Sequence, residues 1–210
     1  MTHSPVRLPN RRVWLRVADP AWTDPLDASF AQERGGRWNP PSSYPALYLN
    51  ADVVTARLQL ERMLQGSPVR IDDLDDKAYV LVAAVLPRRQ AAADAVTPEG
   101  LRALGLPETY PRETSGEEVP REVCQRMGVR IRGEGLRGVW CRSACTLDGR
   151  ARELAWFPAT ERSKATGVWR VPLPLGSWRE AVTWEDLGLE DQPDPKPAVE
   201  PVTVREGRGE

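Results

Sequence analysis

The chain has 210 residues, 40% of them hydrophobic and 28% charged, with a formal net charge of −1. That length holds one large domain or two small ones. A charge so close to zero gives no broad field of one sign, so nucleic acid as the main partner is disfavoured and a charged coat on a membrane is not expected.

The first twelve residues, MTHSPVRLPNRR, carry no apolar core behind their charges and are read as an N-terminal extension without an export signal. VWLRVA at 13–18 is a short strand interrupted by Arg16. Residues 19–45 are rich in Pro, Gly, Asp and Ser and include RGGRWNPPSSYP, which predicts a long irregular segment. Such loops inside a compact domain are usually functional or disordered, and the Arg and aromatic content favours function. ALYLN at 46–50 is the next strand. Asp52 then caps a helix running to about Gln65, with Val53, Ala56, Leu60, Met63 and Leu64 on one face of about 100°. Gly66, Ser67 and Pro68 stop it.

AYVLVAAVL at 78–86 is a continuous apolar run that reads as a buried strand ended by Pro87. TPEGLRAL at 97–104 is a helix with Thr97 as cap, Pro98 in the first position and Gly105 as stop. A second helical stretch covers about 117–128, with Gly128 at its end. GVWCRSACT, an Asp148–Gly149 turn and ARELAWF form a hairpin. A further strand is expected at Val168–Val171. The tail from 190 is Pro-rich and charged and reads as disordered. The pattern predicts a mixed α+β domain over 13–189.

No run of about 18 apolar residues is present, so no membrane span is expected. Three cysteines, Cys124, Cys141 and Cys145, are an odd set that forms no disulfide framework, and the cytoplasm is the expected compartment. Cys141 and Cys145 read as small buried hydrophobes rather than metal ligands, and no metal is expected. The single histidine is His3. Its scarcity removes the serine–histidine and cysteine–histidine hydrolases, leaving Arg, Tyr, Ser and carboxylates to do any chemistry.

Four stretches taken in order resemble the RES-domain family. They are VWLRVAD at 13–19, GGRWNPPSSYPALYL at 35–49, the helix ADVVTARLQLERML at 51–64, and the block from LPETY at 106 to WFP at 156–158. The resemblance implies a fold like that of ADP-ribosyltransferases, with a mixed, split β-sheet and flanking helices. It implies an NAD-consuming toxin, neutralised by an Xre-type helix-turn-helix antitoxin, that cleaves NAD with water or phosphate. Transfer of ADP-ribose to a macromolecule is the alternative. NAD is then a substrate.

Breaking the nicotinamide–ribose bond builds positive charge on the ribose, and the leaving group is already cationic, so a site without histidine suits the reaction. On that reading Arg16 and Arg37 grip the diphosphate with forked donors. Tyr48 stacks on nicotinamide or bonds a ribose. Ser143 resembles the family's serine and bonds the nicotinamide amide or a ribose. It is not a nucleophile, because no base accompanies it. The plainer alternatives are solvated charges, a half-buried core tyrosine and an ordinary strand serine. Trp38 is left to packing. The family's helical glutamate falls on Gln59, with Glu61 two residues on and about 200° round the helix. Gln59 can accept a hydrogen bond but supplies no charge. Either Glu61 takes the role, or the chain is weakened and keeps only a nucleotide- or partner-binding pocket.

Overall fold

The computed structural model describes residues 5–146, 148–159, 165, 172–181, 185–187 and 196–197. Its strands are β1 (Pro5–Arg7), β2 (Val13–Ala18), β3 (Leu47–Asn50), β4 (Val80–Val85), β5 (Ala91–Ala95), β6 (Gly138–Arg142), β7 (Arg152–Trp156), β8 (Leu173–Pro174) and β9 (Lys196–Pro197). The helices are α1 (Ser29–Arg34), α2 (Val53–Leu64), α3 (Pro98–Leu104), α4 (Arg121–Gly133) and α5 (Leu175–Trp178). The strands join in one sheet, ordered β8-β4-β2-β3-β7-β6-β5-β1-β9. Among the described residues only the β5–β6 pair is parallel. The chain is therefore mixed α+β, as its pattern predicts.

Period-two alternation assigns the two faces. Trp14, Leu47, Leu49, Val82, Ala84, Trp140, Leu154 and Trp156 pack on one side. Their neighbours turn to the side that carries the helices. There Leu15, Val17, Leu81 and Ala83 meet α2 and α5 through Val53, Ala56, Leu60 and Trp178. Ala93, Val139, Cys141 and Ala155 meet α3 and α4 through Leu101, Leu104, Cys124 and Ile131.

The sheet is split between these two groups. β2 and β3 share one residue pair, Leu15 with Asn50. Otherwise β2 pairs with β4, and β3 pairs with β7.

Local signals act as expected at α2 and α3. The Asp52 carboxylate accepts from Thr55 N–H at 2.7 Å, and Thr97 Oγ1 accepts from Gly100 N–H at 3.1 Å. Gly105 closes α3 in the left-handed region at φ 73°. Met63 is exposed because it lies at the margin of the α2 stripe.

Three elements differ from the pattern. The segment 19–45 contains α1, which buries no residue. The alanine-rich β5 pairs between β1 and β6. The helix expected at 117–128 is α4, which begins after Pro120 and runs through Gly128 to Gly133. Gly128 is a contact point rather than a stop, since a Cβ there would lie 1.8 Å from the Trp38 carbonyl oxygen. His3 and the strand expected at Val168–Val171 lie outside the described residues, as does the tail apart from Lys196–Pro197. No helix among the described residues is long and apolar enough to cross a membrane.

Candidate active site

The Gly-Gly-Arg-Trp-Asn loop is held by the strand that follows it. Gly35, at φ 75°, ends α1, and its N–H bonds Ala31 O. Gly36 admits the Tyr48 ring, because a Cβ there would lie 2.4 Å from Tyr48 Oη. Tyr48 Oη accepts from Trp38 N–H and donates to Asn39 Oδ1, both at 2.8 Å. Asn39 Nδ2 donates in turn to Ala31 O and Tyr44 O. Burial pushes the Tyr48 phenol well up, so it stays neutral. Trp38 is fully buried against Tyr110 and packs, as its sequence context predicts.

Arg37 leaves the same loop. Its Nε donates to Tyr110 Oη at 3.0 Å, Nη1 to Glu118 Oε1 at 2.6 Å and Nη2 to Val119 O at 2.9 Å. The other Glu118 oxygen takes Arg62 at 2.8 Å. Burial works against the Arg37 charge, but Tyr110, Cys124 and Glu118 more than offset it and keep the cation firmly protonated. Among the described residues those bonds use three of its five N–H donors, leaving two.

The β6–β7 hairpin brings a third group. Ser143 Oγ donates to Glu153 Oε2 at 2.8 Å and accepts from Cys145 N–H at 3.2 Å. The Cys141 thiol lies 3.7 Å from Glu153 Oε1. Glu153 pairs across β3 with Asn50, so both turn to the helix-bearing face. Asn50 Nδ2 donates to Gln59 Oε1 at 2.6 Å. Glu153 is half-buried. Desolvation holds its carboxyl above the usual range, although the Ser143 bond, Arg37 and Cys141 pull the other way. Burial also raises the thiols, that of Cys145 to about 11, so none is a ready thiolate near neutral pH.

Arg37, Tyr48, Gln59 and Ser143 thus gather about Glu153, while Arg16 and Glu61 stand apart. Arg16 follows Leu15 and leaves β2 on the Trp14 side. Its Nη1 reaches Asp27 O at 3.3 Å, and its guanidinium lies 5.5 Å from the Trp22 ring centre. Burial lowers its pKa, opposed by Asp27 and Asp24. It sits one residue from the point where β2 and β3 part. The half-exposed Glu61 faces Arg57 at 3.9 Å and borders a surface groove with Arg70 and Arg179. Among the described residues, no group of three His, Cys, Asp or Glu is placed to hold a metal ion.

Glu153, Asn50, Tyr110 and Glu118 were not singled out by the sequence. For Glu153 a signal was present. A hairpin turning at Asp148–Gly149 sets Glu153 opposite Cys141, two residues from Ser143 on the same face.

A family model described as the RES domain matches residues 7–174. The chain belongs to the RES domain family. Two similar proteins are the "NAD(+) phosphorylase MbcT" of Mycobacterium tuberculosis (strain ATCC 25618 / H37Rv) and that of Mycobacterium bovis. Each is 33% identical over 86 residues, 41% of this chain and 46% of the relative. The match therefore spans about half the length of these curated relatives. Among solved structures, the M. tuberculosis MbcT–MbcA toxin–antitoxin complex matches with a TM-score of 0.63 at 22% identity, over 83% of this chain and 91% of that one. The RES-type fold, ADP-ribosyltransferase-like with a split mixed sheet, is the one the family resemblance implied.

Proposed function

We propose that this RES-domain chain cleaves NAD at the bond between nicotinamide and ribose and acts as the toxin of a toxin–antitoxin pair in the cytoplasm. The observation that carries the reading is the gathering of Arg37, Tyr48, Gln59 and Ser143 about one carboxylate, Glu153, beside the point where β2 and β3 part. The activity for which the MbcT relatives are named, NAD phosphorolysis, supports the substrate.

The two remaining Arg37 donors meet the diphosphate, and Arg16 meets it from the β2 side of the split. Tyr48 presents its ring to the nicotinamide or a ribose. The Gln59 amide NH₂ donates to a ribose hydroxyl, since its oxygen is occupied by Asn50. The C1′–N bond breaks with its electron pair passing to nicotinamide, which leaves neutral. Water or phosphate then adds its oxygen to the ribose carbon, with any released proton going to solvent. NAD is the substrate, and no metal is required.

The partner is an Xre-type helix-turn-helix antitoxin that covers the split. The named complex of MbcT with MbcA supports an antitoxin of some kind. A second reading, a pocket that binds nucleotide or a partner without turnover, is favoured by the neutral Gln59.

The test follows NAD labelled in its ADP-ribose half, incubated with purified protein in water, in phosphate and with cell lysate. Label in free ADP-ribose or its phosphate ester supports cleavage. Label in macromolecules supports ADP-ribosyl transfer instead. Label that stays in bound, intact NAD supports the second reading.

A further inference from the structure

We propose that Glu153, on β7, is the carboxylate that faces the ribose as its positive charge develops, with Ser143 as the residue that positions it. This rests on the NAD-cleavage reading and assigns the charge-stabilising role within that site.

The reaction needs a negative group beside the ribose carbon, and the other carboxylates nearby are committed or absent. Glu118 is clamped between Arg37 and Arg62. Asp52 caps α2. Asp94 is bound by Val96 N–H and Thr97. Glu61 lies on the Arg57 side of α2. Gln59 is neutral. Among the described residues, Glu153 has no cation within ion-pair distance.

A largely desolvated carboxylate that has no direct ion pair, and feels Arg37 only from a distance, is costly unless a ligand supplies further charge, and such groups concentrate at functional sites. Its two oxygens differ. Among the described residues, Oε2 is fixed by the Ser143 hydroxyl, whereas Oε1 has only the Cys141 thiol at 3.7 Å. Oε1 is therefore the oxygen left for the ribose. The Ser143 hydroxyl is itself held by Cys145 N–H, which aims its proton at Oε2. Glu153 forms no covalent bond and passes on no proton. It stays ionised while the C1′–N bond opens and the electron pair leaves on nicotinamide.

Nicotinamide release by the full chain, measured from about pH 4.5 to pH 8, tests this for wild type, Glu153→Gln and Ser143→Ala. The expected result is a loss of about a hundredfold in kcat for Glu153→Gln with KM little changed. The wild-type acid limb should lie above the ordinary glutamate range and move to higher pH in Ser143→Ala, which withdraws a bond to the ionised form. A Glu153→Gln kcat within about threefold of wild type overturns the assignment and leaves NAD cleavage standing. Should Glu153→Gln not fold, an acid limb that Ser143→Ala fails to move overturns it equally. No nicotinamide from wild type at any pH removes the NAD-cleavage reading, and this inference with it.

Discussion

Asn50 Nδ2 donates a 2.6 Å hydrogen bond to Gln59 Oε1, and the same Asn50 is the cross-strand partner of Glu153. Cross-strand partners hold their Cβ atoms about 5 Å apart. A carboxylate at position 59 therefore falls near Glu153. Gln59→Glu in the wild-type background is expected to lower the thermal midpoint at pH 7, because two neighbouring carboxylates resist joint ionisation. The loss should disappear on acidification. In a Glu153→Gln background the same change restores the missing charge, and part of the nicotinamide release should return.

Glu153 also fixes a pH dependence of stability. Its folded carboxyl titrates above the unfolded value of about 4.5, with burial as the largest cause. The folded chain then holds the proton more tightly than the unfolded one, so stability falls as pH rises through that window. The penalty grows as the pH rises from the unfolded value through that window. Glu153→Gln removes it while keeping an acceptor for Ser143. Its midpoint should exceed that of wild type at pH 7, with the difference closing toward pH 4.5. Equal midpoints across that range would show that the buried charge carries no penalty.

Gly128 marks where α4 touches the loop. With a Cβ 1.8 Å from the Trp38 carbonyl oxygen, Gly128→Ala forces helix and loop apart. Better helix propensity would repay only about 1 kcal/mol. The net loss in denaturant unfolding is expected at about 2 kcal/mol. NAD binding should weaken with it, since the Trp38 N–H bond to Tyr48 lies in the same loop.

Arg37→Lys keeps the charge and loses the fork. One ammonium cannot reach Tyr110 Oη, Glu118 and Val119 O together. The expected loss is about 2 kcal/mol of stability. A rise in the Kd for NAD, measured by calorimetry, should accompany it.

Much of this was readable from the residues. The caps Asp52 and Thr97 bonded as their positions predict. β2, β3, β4 and the β6–β7 hairpin followed apolar runs and an Asp-Gly turn. β5 was hidden because AAADA carries no β-branched or aromatic residue and is set by its neighbours in the sheet. α1 was hidden because it buries none of its six residues and so has no apolar stripe. Gly128 looked like a helix stop, since chain order alone does not show that the Trp38 loop crosses the helix there. The contacts of Gln59 and Glu153 depend on the β3–β7 register, which pairs residues about a hundred positions apart.

The most direct measurement is nicotinamide released when the purified chain is held with excess NAD and phosphate at neutral pH, counted per mole of protein. The account predicts many nicotinamides per chain, with release abolished in Arg37→Ala. A folded wild-type chain that binds NAD and releases no nicotinamide would contradict it.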